Sequence, residues 1–434
     1  MLLGGLALAL GLWLSWRSPA LPLVLGLLTL AVRPELLVGG TIDQADWGVP
    51  RTLLVLALAC NALRHGIRRQ INWPIAALLA VLVLSTALGE LHLRLTPPLM
   101  LQGLAVLALP WAFTSVVLAP GSRRGYAAVI ALLPLLCTLV GMLISLGEPV
   151  PTWGFWGSFD QVYRLGGALD NPEAFAILAF AGFAVALHEA TRPGRGYAGW
   201  LAIINLVLVI LTGTRMAIFA SAVLLATYAA LSPDLREMLA RQRRLAVLGG
   251  GALVATAVLY WPSLQMRLFE DDSGEIFMSA RDSVWSFWWE EFLLSPLFGR
   301  GVGVGYVGGA DWLTNLPRNT PHNEYLHLLV TGGAAGFLLC AAAIALWSRQ
   351  LYLAASDNDR PFLLALAPAF GLCAVTADVL LYWTGLALFA YLGVMLTRSQ
   401  VALPGARPLP RVAEPAAAAA PPEPRRAALF RPEP

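Results

Sequence analysis

The sequence predicts an all-α, polytopic integral membrane protein with about twelve transmembrane helices. Of its 434 residues, 58% are hydrophobic and only 13% are charged. That charged content is roughly half of what an ordinary globular protein carries. Apolar runs recur along the chain, and arginine clusters separate them. Because lipid cannot satisfy an open backbone, these runs should cross the bilayer as helices.

The apolar runs divide the chain into membrane parts, a long loop and a tail. We expect N-terminal transmembrane helices over 1–260, a large periplasmic loop with short helices over 261–321, C-terminal transmembrane helices over 322–398 and a disordered cytoplasmic tail over 399–434. The first run could form one kinked span or two short ones. The runs cover 1–32, 52–63, 74–89, 99–119, 126–147, 172–187, 198–231, 245–260, 323–347, 361–379 and 384–397.

Arginine placement predicts the orientation, since the sequence contains no lysine. Positively charged loops of a membrane protein stay in the cytoplasm. The loops around 148–169 and 261–321 are poorer in arginine, so we expect them to face outward and the C-terminus to lie inside. The arginine clusters occur at 64–69, 123–124, 192–195, 236–244 and 349–360.

Residues 198–231 are apolar except for the turn Thr212-Gly213-Thr214-Arg215. The loops on both sides are predicted to be cytoplasmic, so the stretch must cross and return. Each arm has about 15 residues and spans about 22 Å, less than the roughly 30 Å of hydrocarbon. The turn should therefore be recessed on the outer side. A guanidinium there is costly without a partner, so we favour an anionic ligand for Arg215 over snorkelling to headgroups.

The long loop carries a second basic candidate, Arg281. Apolar and aromatic residues at 284, 285, 287, 288 and 292 predict an amphipathic helix at the interface, with Arg281 near its start. An exposed ion pair with Asp282 or Glu275 is the structural alternative. The glycines at 303, 305 and 308 formally match a dinucleotide fingerprint, but no βαβ unit surrounds them, so they indicate a tightly turning loop.

His322 lies where the long loop enters the apolar run 323–347. Thr320 is a plausible N-cap and Pro321 suits a first helical turn, which would place the imidazole at a helix N-terminus. A titratable group at the mouth of a membrane helix is a candidate for chemistry, and a polar cap at the interface is the alternative. His322 and His327 are spaced too far around a helix to share a metal-binding face.

The three candidates together indicate one kind of reaction. Two guanidiniums, from Arg215 and Arg281, suit the oxygens of a diphosphate. An imidazole, from His322, suits general-base activation of a hydroxyl. The combination points to transfer of a group away from a diphosphate leaving group. No metal-ligand spacing occurs, so we expect neither metal nor cofactor.

The chain resembles the O-antigen ligase and polymerase superfamily over about residues 50–400. The resemblance rests on motifs in a fixed order, of which the His-Asn-x-x-Leu motif before an apolar helix is the most specific. They are Asp170-Asn171-Pro172-Glu173-Ala174-Phe175-Ala176, then Thr212-Gly213-Thr214-Arg215, Ala280-Arg281, a glycine-rich stretch and Pro321-His322-Asn323-x-x-Leu326.

This resemblance implies a GT-C-like, inverting, metal-independent glycosyltransferase in the bacterial inner membrane, with its active site facing the periplasm. The implied donor is O-antigen on undecaprenyl diphosphate, and the implied acceptor is lipid A–core oligosaccharide; no nucleic acid is involved. Arg215 and Arg281 would hold the diphosphate, and His322 would act as the base. Asp378 and Arg164 are supporting candidates, the first as the acidic residue expected in the last periplasmic turn.

Three other functions remain open on the sequence alone. An O-antigen polymerase uses the same donor but a second lipid-linked chain as acceptor, and a protein O-oligosaccharyltransferase decorates serine or threonine. Those relatives tend to carry an added soluble part. A transporter or flippase would scatter charges through the midplane of several helices. Here the charges gather in loops and at one recessed turn, which disfavours transport.

Overall fold

The computed structural model describes residues 73–88, 123–146, 155–157, 163–169, 171–261, 281–301, 321–376 and 385–396, together with the single positions 13, 24, 27, 28 and 265. This part of the chain is mostly helical, as expected. Its helices are α1 (Trp73–Leu88), α2 (Arg123–Ser145), α3 (Pro172–Ala190), α4 (Gly196–Leu211), α5 (Arg215–Leu231), α6 (Pro233–Arg241), α7 (Arg243–Leu259), α8 (Arg281–Leu294), α9 (Glu324–Ala354), α10 (Arg360–Thr376) and α11 (Leu386–Leu396).

A small antiparallel hairpin precedes α3, which the all-α prediction did not include. Its strands are β1 (Phe155–Gly157) and β2 (Tyr163–Leu165), and Trp156 pairs with Arg164 across them. A 3-10 turn, Gly167–Leu169, connects β2 to the start of α3. The hairpin matters for the site because it fixes the position of Arg164.

Helix α3 is the central rod of the described structure. Its sequence is apolar on every side, which is typical of a helix surrounded by other helices. The most apolar 18-residue window of α3 is 94% buried. Gly182 permits close packing, since a Cβ there would lie 2.7 Å from Pro134 of α2. Asn205 of α4 donates a hydrogen bond to the Ala131 carbonyl of α2 at 2.9 Å, which ties the neighbours of α3 together.

Helices α4 and α5 form the two short arms predicted for residues 198–231. They are joined by the turn at Thr212–Thr214, where Thr212 and Gly213 are buried. Gly213 has a φ of +62°, which a glycine adopts without strain. Helix α6 leaves α5 at an angle of 100°. The two-armed hairpin is therefore confirmed, whereas the depth of its turn in a bilayer stays a prediction.

Helix α9 begins three residues later than the proposed cap implied. Asn323 is its N-cap, accepting a hydrogen bond from the Leu326 amide at 3.1 Å. The prediction of Thr320 as N-cap and Pro321 as first-turn residue is wrong. The Pro321 carbonyl instead accepts a 2.9 Å hydrogen bond from the Trp285 indole, which holds it outside the helix. His322 still lies directly beside the helix start.

Helix α9 is broken at Gly333, whose φ is +63°. The chain after α8 crosses the break so closely that only glycines fit at the contact. Main-chain hydrogen bonds connect the crossing segment to both sides of the break. They run from Arg300 to Val330 (2.7 Å), from Gly301 to Thr331 (3.1 Å), from Ala334 to Pro296 (2.8 Å) and from Ala335 to Leu297 (3.1 Å), donor first.

Three described helices are long and apolar enough to cross a membrane: α2 over Arg123–Leu143, α3, and α9. The bent pair α5–α6 would make a fourth, and four shorter apolar helices accompany them. The runs at 1–32, 52–63 and 99–119 and the tail at 399–434 lie almost entirely outside the described residues. The count of about twelve spans therefore stays a prediction.

A buried ionic network surrounds the C-terminal end of α3. Glu189 accepts a 2.6 Å hydrogen bond from the Tyr391 hydroxyl, and His188 Nε2 lies 3.1 Å from Asp359 Oδ1. Residues from three predicted cytoplasmic loops thus meet at one end of α3, while the Thr212–Thr214 turn lies at the other. The network consists of Arg123, His188, Glu189, Arg192, Arg195, Asp359 and Tyr391.

Candidate functional site

The N-terminal end of α3 is the structural base of the site. Asn171 is the N-cap: its side chain accepts hydrogen bonds from the amides of Glu173 at 2.9 Å and Ala174 at 3.0 Å. Pro172 occupies the first turn, where its missing N–H costs nothing. The Asn-Pro-Glu sequence therefore defines where the helix starts and places the Glu173 carboxylate in its first turn.

His322 lies against that carboxylate. Its Nδ1 is 3.4 Å from Glu173 Oε2, and the two side chains are 17% and 14% exposed. His322 has a φ of +47°, the only positive value at a non-glycine among the described residues. Such a backbone is uncommon outside glycine, although histidine is among the residues that tolerate it, and it often marks a functional position. The chain is thus held in a turn that directs the imidazole toward α3.

Arg164 connects β2 to the turn that carries Arg215. Its Nε donates to the Thr212 carbonyl at 2.8 Å, and its Nη2 donates to Thr214 Oγ1 at 3.0 Å. Thr214 Oγ1 in turn donates to the Pro172 carbonyl at 3.4 Å. Arg164 is only 5% exposed. Because one guanidinium donates hydrogen bonds to both sides of the turn, Arg164 stabilises the turn beside the start of α3.

Arg215 is the first residue of α5, immediately after the clamped turn. It is half-buried. Thr214 beside it contacts Pro172, and Glu173 next to Pro172 contacts His322. This short chain of contacts places Arg215 and His322 on the same end of α3. The structure therefore brings together two of the three residues on which the predicted chemistry depends.

Helix α8, which contains Arg281, approaches the same end of α3. The described part of helix α8 covers Arg281–Leu294, which confirms a helix in this part of the loop, and Trp285 lies one turn after Arg281. The Trp285 indole donates to the carbonyl of Pro321, the neighbour of His322. Apolar residues at helical spacing hold α8 against α9 over the next two turns. They are Val284, Trp288 and Phe292 of α8 with Leu326 and Val330 of α9.

Asp378 lies outside the described residues, so its role stays a prediction. Glu173 was not among the predicted site residues, although it belongs to the motif at 170–176. An acidic residue in a first helical turn is usually explained by the helix dipole. Only its proximity to His322 in space distinguishes it. Within the described parts of the chain, no group of three or more His, Cys, Asp or Glu side chains is arranged to hold a metal ion.

The comparison with known families covers the region that contains Arg215, Arg281 and His322. Residues 200–341 match the family model described as O-antigen ligase. The match supports the O-antigen ligase superfamily, which the motif order had suggested. No curated protein matches the chain. Members of this superfamily act on lipid-linked polysaccharide in lipopolysaccharide biosynthesis and are membrane proteins, in agreement with the apolar helices described above.

Proposed function

We propose that the protein is an O-antigen ligase of the bacterial inner membrane. It transfers O-antigen polysaccharide from undecaprenyl diphosphate onto lipid A–core oligosaccharide, at a site facing the periplasm, within a GT-C-like fold of about twelve spans. The observation that carries the proposal is the meeting of Arg164, the Arg215 turn, Glu173 and His322 at one end of α3. The O-antigen ligase match over 200–341 supports the same conclusion.

His322 is the general base of the proposed reaction. Its Nδ1 faces Glu173, so with a proton on Nδ1 it is Nε2 that would accept the proton of the acceptor hydroxyl. The carboxylate would then stabilise the imidazolium that forms, as the acidic member of a catalytic triad does. General-base assistance of this kind is worth about 10²–10⁴ in rate.

The leaving group is the lipid diphosphate. The acceptor oxygen attacks the anomeric carbon, and the bond from that carbon to the diphosphate oxygen breaks on the opposite face, which inverts the anomeric configuration. The electron pair stays on undecaprenyl diphosphate. Arg215 and Arg281 bind the diphosphate and offset the charge that develops on it. Arg164 acts indirectly, because its hydrogen bonds to Thr212 and Thr214 fix the turn from which Arg215 extends.

A gene deletion complemented with variants tests the proposal. His322→Ala should leave lipid A–core without long chains on a lipopolysaccharide gel, while lipid-linked polymer accumulates. Arg215→Lys should also fail, because an ammonium cannot replace a bidentate guanidinium fork. Arg360→Lys is the matched control, since this guanidinium pairs at the protein surface with Asp357. Each variant is first checked for its amount in the membrane.

The same gel distinguishes the proposed reaction from its relatives. Loss of polymer length, with single repeats still attached to lipid A–core, would identify a polymerase and overturn the ligase assignment. Unchanged long-chain lipopolysaccharide in the deletion strain would argue for a protein acceptor. Full-length capped lipopolysaccharide made by His322→Ala would remove the general base from the mechanism.

A further inference from the structure

A cleft of about 670 Å³ lies at the other end of α3, beside the ionic network. It is bounded by the α3–α4 connection and by α6, and charged and polar residues make up most of its wall. Helix α3 separates this cleft from the site at His322 by about 28 Å, from its 19 residues at 1.5 Å each. The cleft is therefore distinct from the proposed diphosphate site.

One wall of the cleft is basic. Arg192 pairs with Asp359, and Arg195 pairs with Glu189. Arg123 does not line the cleft but contacts the same two carboxylates from within the network, so three guanidiniums face two carboxylates and one positive charge is in excess behind this wall. Arg195 is also the N-cap position of α4 and makes no capping hydrogen bond with its side chain. The first amides of α4 thus add the positive end of a helix dipole to this wall.

The opposite wall is acidic. Asp234, Glu237 and Arg241 of α6 line the cleft, so this wall carries one negative charge in excess. The side chain of Glu237 is 59% exposed despite its ion pair with Arg241. Helix α6 bends away from α5 by 100°, so it runs across the ends of the neighbouring helices rather than along them. In the orientation that the arginine clusters predict, this end of α3 faces the cytoplasm and α6 lies at the level of the phospholipid headgroups.

We propose that the cleft binds the headgroup of a zwitterionic phospholipid that carries a phosphate and a primary amine. The phosphate lies against Arg192, Arg195 and the start of α4, and the ammonium lies against Asp234 and Glu237. A wall with an excess of guanidinium opposite a wall with an excess of carboxylate fits this pair of charges better than it fits a purely anionic headgroup, which Asp234 and Glu237 would repel. The bound lipid joins α6 to the end of α3.

Native mass spectrometry of the purified protein with matched-chain lipids tests this proposal. We expect one phosphatidylethanolamine to remain bound at collision energies that remove phosphatidylglycerol. The double variant Asp234→Asn, Glu237→Gln should lower the ratio of retained phosphatidylethanolamine to phosphatidylglycerol by about fivefold, the value of one partly exposed ion pair. Both residues lie on α6 and neither belongs to the buried network, so the variant should fold. Glu290→Gln, an exposed acid on α8, is the matched control.

Competition with soluble compounds identifies the chemistry that is recognised. Glycerophosphoethanolamine in excess should displace the retained lipid, whereas inorganic phosphate at the same concentration should not. Equal retention of the two lipids by the unmodified protein would overturn the proposal, and so would an unchanged ratio in the double variant. Displacement by inorganic phosphate alone would show a simple anion site and overturn it as well.

Discussion

Replacement of Gly299 by alanine should destabilise the protein much more than the same change at Gly194. Gly299 has a φ of +74° and lies where the chain after α8 crosses the break in α9. A Cβ there would be 2.5 Å from both the Gly333 amide nitrogen and the Thr331 carbonyl oxygen. Both atoms belong to the main chain, so no side chain can rotate to make room.

The size of the effect follows from the contacts at the crossing. To relieve the overlap, the crossing segment must move away from α9, which lengthens the bonds from Arg300 to Val330 and from Gly301 to Thr331. Each such bond is worth about 1 kcal/mol, and overpacking of a tight contact costs about 1–3 kcal/mol. Gly194 has a φ of +73° with no atom within 4 Å of its Cβ position. Both variants share the left-handed backbone penalty of about 1–2 kcal/mol, so Gly299→Ala should cost about 3 kcal/mol more.

Thermal unfolding of the two purified variants in the same detergent, at one scan rate, measures this difference. We expect Gly299→Ala to unfold at a clearly lower temperature than Gly194→Ala, or to reach the membrane in a smaller amount. If the two apparent melting temperatures are equal, the crossing at Gly299 and Gly333 is not the close main-chain contact described above.

Three further predictions concern the two ends of α3. Arg164→Lys should lower the initial rate of ligation about tenfold relative to wild type, because one ammonium cannot hydrogen-bond both sides of the turn. Glu173→Gln should lower kcat with little change in KM and shift the pH profile of kcat, whereas a purely structural role would leave that profile unchanged. Burial alone would raise the pKa of Asp359, but the hydrogen bond from His188 and nearby guanidiniums hold it below its usual range. The resulting stability is present above about pH 4 and is lost as the pH falls through the folded pKa. Asp359→Asn should therefore lower the free energy of unfolding by about 3 kcal/mol near neutral pH. The difference from wild type should become smaller in acid. The exposed Asp357→Asn should lower the free energy of unfolding by less than about 1 kcal/mol.

The α4–α5 hairpin was predictable because its signal is local. The stretch has two apolar arms, each too short to cross a bilayer, joined by one polar turn and flanked by two arginine-rich loops. Few arrangements other than a helical hairpin fit this pattern. Helix α8 was predictable for a similar reason, since its apolar residues repeat at helical spacing. The stripe Val284, Trp288 and Phe292 meets α9 as such a pattern requires.

The start of α9 could not be decided locally. Thr320-Pro321 and Asn323-Glu324 both carry good N-terminal signals. The choice depends on Trp285, which is distant in sequence and binds the Pro321 carbonyl. The hairpin that carries Arg164 was missed because strands of three residues leave almost no alternating pattern to detect.

Helix α3 explains why residues so far apart in the chain can act together. Its first turn receives Thr214 and His322, and its last turn contributes His188 and Glu189 to the ionic network. A helix buried on every side cannot tilt without disturbing both ends, since its packing against α2 and α4 leaves no space. The rigidity of the network therefore supports the position of Glu173. Asp359→Asn should accordingly lower ligation more than its loss of folded protein accounts for, when rates are normalised to the folded fraction. An unchanged normalised rate would mean that the two ends are mechanically independent.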